Sequence, residues 1–351
     1  MNYLLLFDLL YNLNQNHNME TNSKKNNQIS RRKFLGNATA LATMAFLPKG
    51  LLSCGSGTGL NSRYGGVQIG VISYSFRSMP TSAEDILGYL KETGLSSVEL
   101  MGGAVEQFAG APEYQGPSYP RGTELTDEQS RELNLAREEF AQELRNWRLS
   151  VPMDRFTGLR EMYNDAGVNI DITKLGHPSW SDEEIDYAFN VAKTLGSRGI
   201  TFEIGIDAAK RMAPFADKHG LYAIMHNHGQ PGRPGFSFED HLIFGKNLML
   251  NLDVGHYYGA TGLHPNDVIE KFHDRIASLH LKDKTGPNEV PADTNMPFGE
   301  GSTPLDDILK LLKEKGWPIT ADIELEYPIP EGSDAVQEVK KCADYCKGFL
   351  V

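Results

Sequence analysis

"SDEEIDYAFNVAKTLGSRGITFEIG", residues 181–205, places one helix and one strand in immediate succession. Ser181 stands before an acidic first turn, as a helix N-cap does, and Gly196 supplies the stop. "GITFEIG" (199–205) then reads as a short, largely apolar strand. Apolar strands alternating with amphipathic helices build a sheet that helices cover. How many times the unit recurs decides the fold.

The alternation extends in both directions. Upstream lie the strand candidates "VQIGVIS" (67–73), "SVELMG" (97–102) and "VNIDI" (168–172). Downstream lie "YAIMHNH" (222–228), "LMLNLDV" (248–254), "IASLHLK" (276–282) and "ITADIELE" (319–326), which brings the total to eight. Helical patterns fall between them, among them "SAEDILGYLKETG" (82–94), "HPNDVIEKFHDR" (264–275) and "TPLDDILKLLKEKG" (303–316). This predicts a single-domain α/β fold, a (β/α)8 TIM barrel spanning 67–351. The competing fold is an open doubly wound sheet, but no Gly-rich phosphate loop follows the first strand. One stretch is longer than a single helix needs. "GGAVEQFAGAPEYQGPSYPRG" (102–122) reads as a loop and "TDEQSRELNLAREEFAQELRNWR" (126–148) as a charged helix. Such an insertion either covers the barrel mouth or decorates the surface.

Residues 1–60 read as an address and linker. "SRRKFLG" (30–36) and the small, apolar run behind it resemble a twin-arginine export signal, and "LLSC" (51–54) resembles a lipobox that would anchor the chain through Cys54. A start at Met19 instead of Met1 would give the signal an ordinary length. The apolar run is too short to span a membrane. An exported, periplasmic protein, lipid-anchored if Cys54 is acylated, is the expectation. Cys342 and Cys346 sit four apart on a last helix with no zinc-type spacing, and read as packing residues. The chain carries a formal net charge of −12, which would repel a phosphate backbone, so nucleic acid is not an expected partner. Oligomeric state is open.

In a barrel of this kind the active site lies at the C-terminal strand ends. Polar residues gather there: Glu203 on the fourth strand, His226 and His228 on the fifth, Asp253 with His256 beyond it on the sixth, His280 and Lys282 on the seventh, Glu324 and Glu326 on the eighth. Any one of these is unremarkable as a solvated or structural side chain. Four consecutive strands each ending in His, Asp or Glu are another matter, because together they make a mixed N/O donor set suited to Mn, Mg, Co, Zn or Fe(II).

"LDVGHYYGA" (252–260), "SLHLKDK" (278–284), "PFGEGSTPLDDILKLLKEKGW" (297–317) and "DIELE" (322–326), in that order, resemble the sugar phosphate isomerase/epimerase superfamily of xylose isomerase-like barrels. The resemblance implies one divalent metal held by Asp253, His280 and Glu324, a substrate-contacting His256, and Lys282 and Asp283 beside the metal histidine, with Glu300 in the loop that follows. The fifth strand departs from the pattern. Relatives read "ENH" where this chain reads "HNH", so His226 takes the place of a carboxylate ligand and His228 lines the pocket. Glu203 remains open as the source of the missing carboxylate.

The chemistry implied is proton abstraction next to a carbonyl in a carbohydrate, with Glu324, His256, Lys282 and Glu203 as catalytic candidates and His228, Glu326, Asp283 and Glu300 as substrate contacts. With one of the paired carboxylates replaced, the first reading is a metal-dependent lyase or hydratase of keto-sugars or 3-keto-glycosides. Sugar or cyclitol isomerisation or epimerisation is the enzymatic alternative, and a non-catalytic sugar-binding lipoprotein is the other. An endonuclease on the same barrel fits poorly with the acidity of the chain.

Overall fold

A computed structural model describes residues 59–120 and 122–351, so the export motif and Cys54 lie outside the described residues. Eight parallel strands form: β1 (Val67–Ile72), β2 (Ser97–Met101), β3 (Asn169–Lys174), β4 (Gly199–Glu203), β5 (Tyr222–His226), β6 (Leu248–Asp253), β7 (Ile276–Leu281) and β8 (Thr320–Ile323). Each pairs with its sequence neighbours, β8 pairs with β1, and β1 pairs with β2, so the sheet closes on itself. All eight expected strands are present as a (β/α)8 barrel. β5, β7 and β8 stop earlier than their apolar patterns suggest, which leaves His228, Lys282, Glu324 and Glu326 just past the strand ends.

Local sequence explains the helices. Ser82 accepts from the Asp85 amide and Gly94 closes that helix with a left-handed φ of 76°. Ser181 and Glu184 form a capping box, and Gly196 ends the helix Asp182–Leu195 at φ 80°. Cys342 and Cys346 are buried in the last helix, Ala335–Leu350, as packing residues.

The segment after β2 corrects the sequence reading. Gly102–Phe108 is a helix, not a loop, because Ala104, Val105 and Glu106 all turn inward. Its Glu106 anchors the 24-residue helix Asp127–Ser150: Arg148 Nε donates to Glu106 Oε1 at 2.7 Å and Nη2 to Oε2 at 3.0 Å. The same guanidinium lies 3.9 Å from the centre of the Trp180 ring. Arg148 and Glu106 are buried, and loss of one partner from such a pair costs about 3–5 kcal/mol. The long helix is thus fastened beside the loop that follows β3.

The barrel interior is unusually polar. Toward the N-terminal strand ends, Arg198 Nε donates to Asp171 Oδ1 at 2.8 Å and Thr320 Oγ1 donates to Asp171 Oδ2 at 2.9 Å. One layer higher, Asp322 is fully buried with neither carboxylate oxygen hydrogen-bonded among the described residues. Burial, together with the charges of Asp171 and Glu99, raises its pKa well above the ordinary carboxylate value. The strand register then lifts the polar column to the mouth, since Glu203 pairs with His226 and Asp253 with His280.

Candidate metal centre and active site

His226, Asp253, His280 and Glu324 come from four adjacent strands and are all buried, each offering a donor atom within 4.8 Å of the others. Ligand atoms around one ion bonded at about 2.0–2.6 Å stand at comparable separations. Two of these donor atoms have no hydrogen-bond partner among the described residues. They are His226 Nδ1 and Asp253 Oδ2, both buried. Buried polar atoms are ordinarily satisfied, so this donor set fits a divalent cation. Glu203, His226 and His228 form a second group of converging donors that shares His226 with the first.

The backbone fixes these donors in place. Asp253 is the N-cap of the helix Val254–Thr261, and its Oδ1 accepts from the His256 amide at 2.7 Å. That fixes which oxygen faces the cluster. Asn227, on the opposite face of the chain from His226, accepts from the Asp253 amide at 3.1 Å and donates to the Asp253 carbonyl at 3.2 Å, joining the ends of β5 and β6. Glu324 continues the ladder past β8, its amide donating to Leu281 O at 3.0 Å.

His280 sits between two carboxylates: Nδ1 is 2.8 Å from Glu324 Oε2 and Nε2 is 2.8 Å from Glu99 Oε2. Burial would drive a proton from this ring, but Glu324 and Glu99 outweigh it and raise the pKa well above the ordinary value. His226 shows the reverse. Burial and the charge of His280 press its pKa well below the ordinary value, leaving a neutral imidazole able to ligate.

Lys282 is the cation of the site. Its Nζ lies 3.0 Å from Asp253 Oδ2, at an angle too poor for a hydrogen bond, 3.1 Å from Glu324 Oε2 and 2.8 Å from Glu326 Oε2. Burial opposes its charge, but the three carboxylates prevail and raise its pKa. The ammonium also donates to His256 Nε2 at 2.9 Å. Burial and this neighbouring charge push the His256 pKa down to about 2, so that ring is neutral.

On the other side of His226, Glu203 Oε1 accepts from Lys174 Nζ at 3.1 Å and Oε2 lies 3.0 Å from His228 Nε2. His228 is half-exposed and stacks on His256 with ring centres 4.8 Å apart. Burial alone would lower the His228 pKa, but its contact with Glu203 raises it.

Two expected substrate contacts are not drawn into this cluster. Asp283 accepts from the amides of Gly299, Gly301 and Thr303 at 2.8, 3.1 and 3.2 Å, so its carboxylate pins the following loop and is not free to meet a ligand. Glu300 is exposed in that loop. Four residues that build the site escaped sequence reasoning: Glu99, Lys174, Asn227 and Asn251. Asn251 donates to Glu99 Oε2 at 2.9 Å, and Thr201 donates to Glu99 Oε1 at 2.5 Å. A carboxylate inside the apolar run "SVELM" was the available signal for Glu99.

A closed eight-stranded barrel thus carries, at its C-terminal mouth, a set of N/O donors that could hold a metal ion and a buried lysine beside it. Residues 74–345 match the model of the xylose isomerase-like TIM barrel family, and the chain belongs to that family. Solved structures similar to it include a sugar phosphate isomerase/epimerase from Parabacteroides distasonis, 18% identical with TM-score 0.52, covering 82% of this chain and 96% of that one. A xylose isomerase domain protein from Alicyclobacillus acidocaldarius is 15% identical with TM-score 0.52, covering 81% of this chain and 99% of that one. A probable 3-DHS dehydratase from Bacillus anthracis is 14% identical with TM-score 0.50, covering 80% of this chain and 99% of that one. At such identities the likeness is one of fold. No curated protein sequence matches the chain significantly.

Proposed function

We propose that this protein is an exported, metal-dependent lyase or hydratase that acts on keto-sugars or 3-keto-glycosides, beginning with removal of a proton α to the carbonyl. The observation that carries the reading is Glu203. It is a mostly buried carboxylate outside the His226–Asp253–His280–Glu324 donor set, and its Oε2 faces His228 Nε2 at 3.0 Å at the edge of the cluster. A carboxylate beside an imidazole that can hold a proton puts a base and an acid side by side.

His226, Asp253, His280 and Glu324 would hold a divalent ion, which when bound would supply Lewis acidity for a substrate carbonyl. Glu203 Oε2 takes the α-proton. Lys174 holds the other Glu203 oxygen and keeps the carboxylate aimed. Lys282, kept cationic by its three carboxylates, presents a fixed positive charge to the oxygen that becomes negative. His228, whose pKa is raised beside Glu203, carries the proton that leaves with the departing group. One base and one acid complete an elimination, and re-addition of water completes a hydration.

The family, the similarity to a probable dehydratase and the twin-arginine-like segment at residues 30–36 support this reading. Glu326, across the pocket on Lys282, is a second carboxylate and favours epimerisation as the rival. Incubation of a 3-keto-glycoside in heavy water decides between them. Release of the aglycone with an unsaturated or hydrated keto-sugar supports the lyase. Return of an intact glycoside, inverted and deuterated, establishes the epimerase. Glu203→Gln should stop deuterium exchange while metal content is unchanged.

A further inference from the structure

Inside the barrel, apart from the four donors at its mouth, lie polar atoms that no protein group answers. Both carboxylate oxygens of Asp322, Asn251 Oδ1, Ser97 Oγ and Ser278 Oγ are buried without a hydrogen-bond partner among the described residues. The four residues are at most 2% exposed. Buried polar atoms are ordinarily paired, so five orphaned oxygens in one interior call for a partner.

Alternation along each strand turns these side chains the same way. Ser97 shares a face with Glu99, Asn251 with Asp253, Ser278 with His280 and Asp322 with Glu324. Strand register then brings them together. Asn251 on β6 stands opposite Ser278 on β7, His280 on β7 opposite Asp322 on β8, and Asp322 opposite Gly70 on β1. Gly70 has no side chain to separate Asp322 from Ser97 of β2: a Cβ built there would fall inside contact distance of Asp322 Oδ1 and 3.2 Å from Ser97 Cβ.

The neighbouring cationic groups are turned to other partners. Arg198 donates to Asp171, to Ala277 O and to Thr320 Oγ1, and the two ring nitrogens of His280 face Glu324 and Glu99. Three occupants remain, and the donor set separates them. A proton on Asp322 would remove its charge but leave the serine and asparagine oxygens as they are. A water would serve those oxygens but leave a buried carboxylate charge unbalanced. A small cation does both. Carboxylate, amide carbonyl and hydroxyl oxygens are ligands of hard cations, and a single carboxylate balances a single charge. We propose that Asp322, Asn251, Ser97 and Ser278 hold a monovalent alkali cation, Na⁺ or K⁺, inside the barrel. With no nitrogen donor, this site differs in kind from the one at the mouth. It does not depend on the reaction proposed above.

Thermal unfolding of the full chain tests the site in NaCl, KCl and choline chloride at equal ionic strength, with Mn²⁺ present throughout to fill the donors at the mouth. The wild type should melt about 3 °C or more higher in NaCl or KCl than in choline chloride, the rise growing with the logarithm of alkali concentration. Asp322→Asn should lose that rise. Ser97→Ala and Ser278→Ala keep the charge and remove one oxygen each, so they should need about tenfold more salt to reach it. These two carry the test if Asp322→Asn does not fold. A water or a proton in the cation's place would give equal melting in all three salts, and that result overturns the site. A full alkali effect retained in Asp322→Asn, or in both serine variants where Asp322→Asn does not fold, overturns it as well.

Discussion

Glu99 and His280 lie 181 positions apart in sequence and 2.8 Å apart in the fold, the Glu99 carboxylate meeting Nε2 while Nδ1 faces Glu324. Metal-binding histidines typically carry a partner of this kind on the far ring nitrogen, which fixes the tautomer and the ring plane. Glu99 is a positioning residue. Glu99→Gln should weaken divalent-metal affinity about 10–100-fold, read by competition with a chelating dye, while the far-UV circular dichroism is unchanged. Unaltered affinity would remove Glu99 from the site's design.

Lys282 and a bound cation address the same oxygens, those of Asp253 and Glu324. In Lys282→Met those carboxylates lose their buried counter-charge, and the metal-free protein should lose about 3–5 kcal/mol of stability. Added Mn²⁺ should then raise the melting temperature of the variant by more than it raises that of the parent, because an ion that binds only the folded state stabilises through its affinity. Equal metal-induced shifts in the two proteins would show that the ammonium and the ion do not compete.

Gly70 on β1 faces Asp322 of β8 so closely that any Cβ would fall inside contact distance of Asp322 Oδ1. Gly70→Ala should cost about 1–3 kcal/mol in urea unfolding. Asp322→Ala should cancel part of that cost when the two are combined, and strict additivity in the double-mutant cycle would refute the clash.

Burial pushes the Cys342 thiol up to about 12 and raises that of Cys346 as well. In a Cys54→Ser background neither thiol should be alkylated at pH 8 in the folded protein, and both should react in guanidinium. The sign for stability follows from the raised value. The contribution is complete below the unfolded thiol pKa of about 8.5 and is lost as pH rises toward about 12, since only the folded state keeps the proton across that window. Cys342→Ala should flatten the alkaline slope of stability against pH, and an unchanged slope would count against the assignment.

The sequence by itself determined the barrel and the four strand-end donors of the candidate metal centre, because the information is local. Strand and helix periodicities, the Ser181 and Ser82 caps and the Gly94 and Gly196 stops act over a few residues, and strand ends show directly where His226, Asp253, His280 and Glu324 emerge. The tertiary structure alone decided what those ligands lean on. Closure of β1 onto β2 and the register of neighbouring strands carry Glu99 beneath His280, set Lys282 among three carboxylates, and turn Asp283 from a presumed substrate contact into the anchor of a loop. Gly102–Phe108 became helical for the same reason, its Glu106 being fixed by Arg148 from 42 positions away. Hydrogen bonds and ion pairs act over about 3 Å whatever the chain distance between their partners. No local pattern encodes which distant residue the closed barrel will bring within that reach.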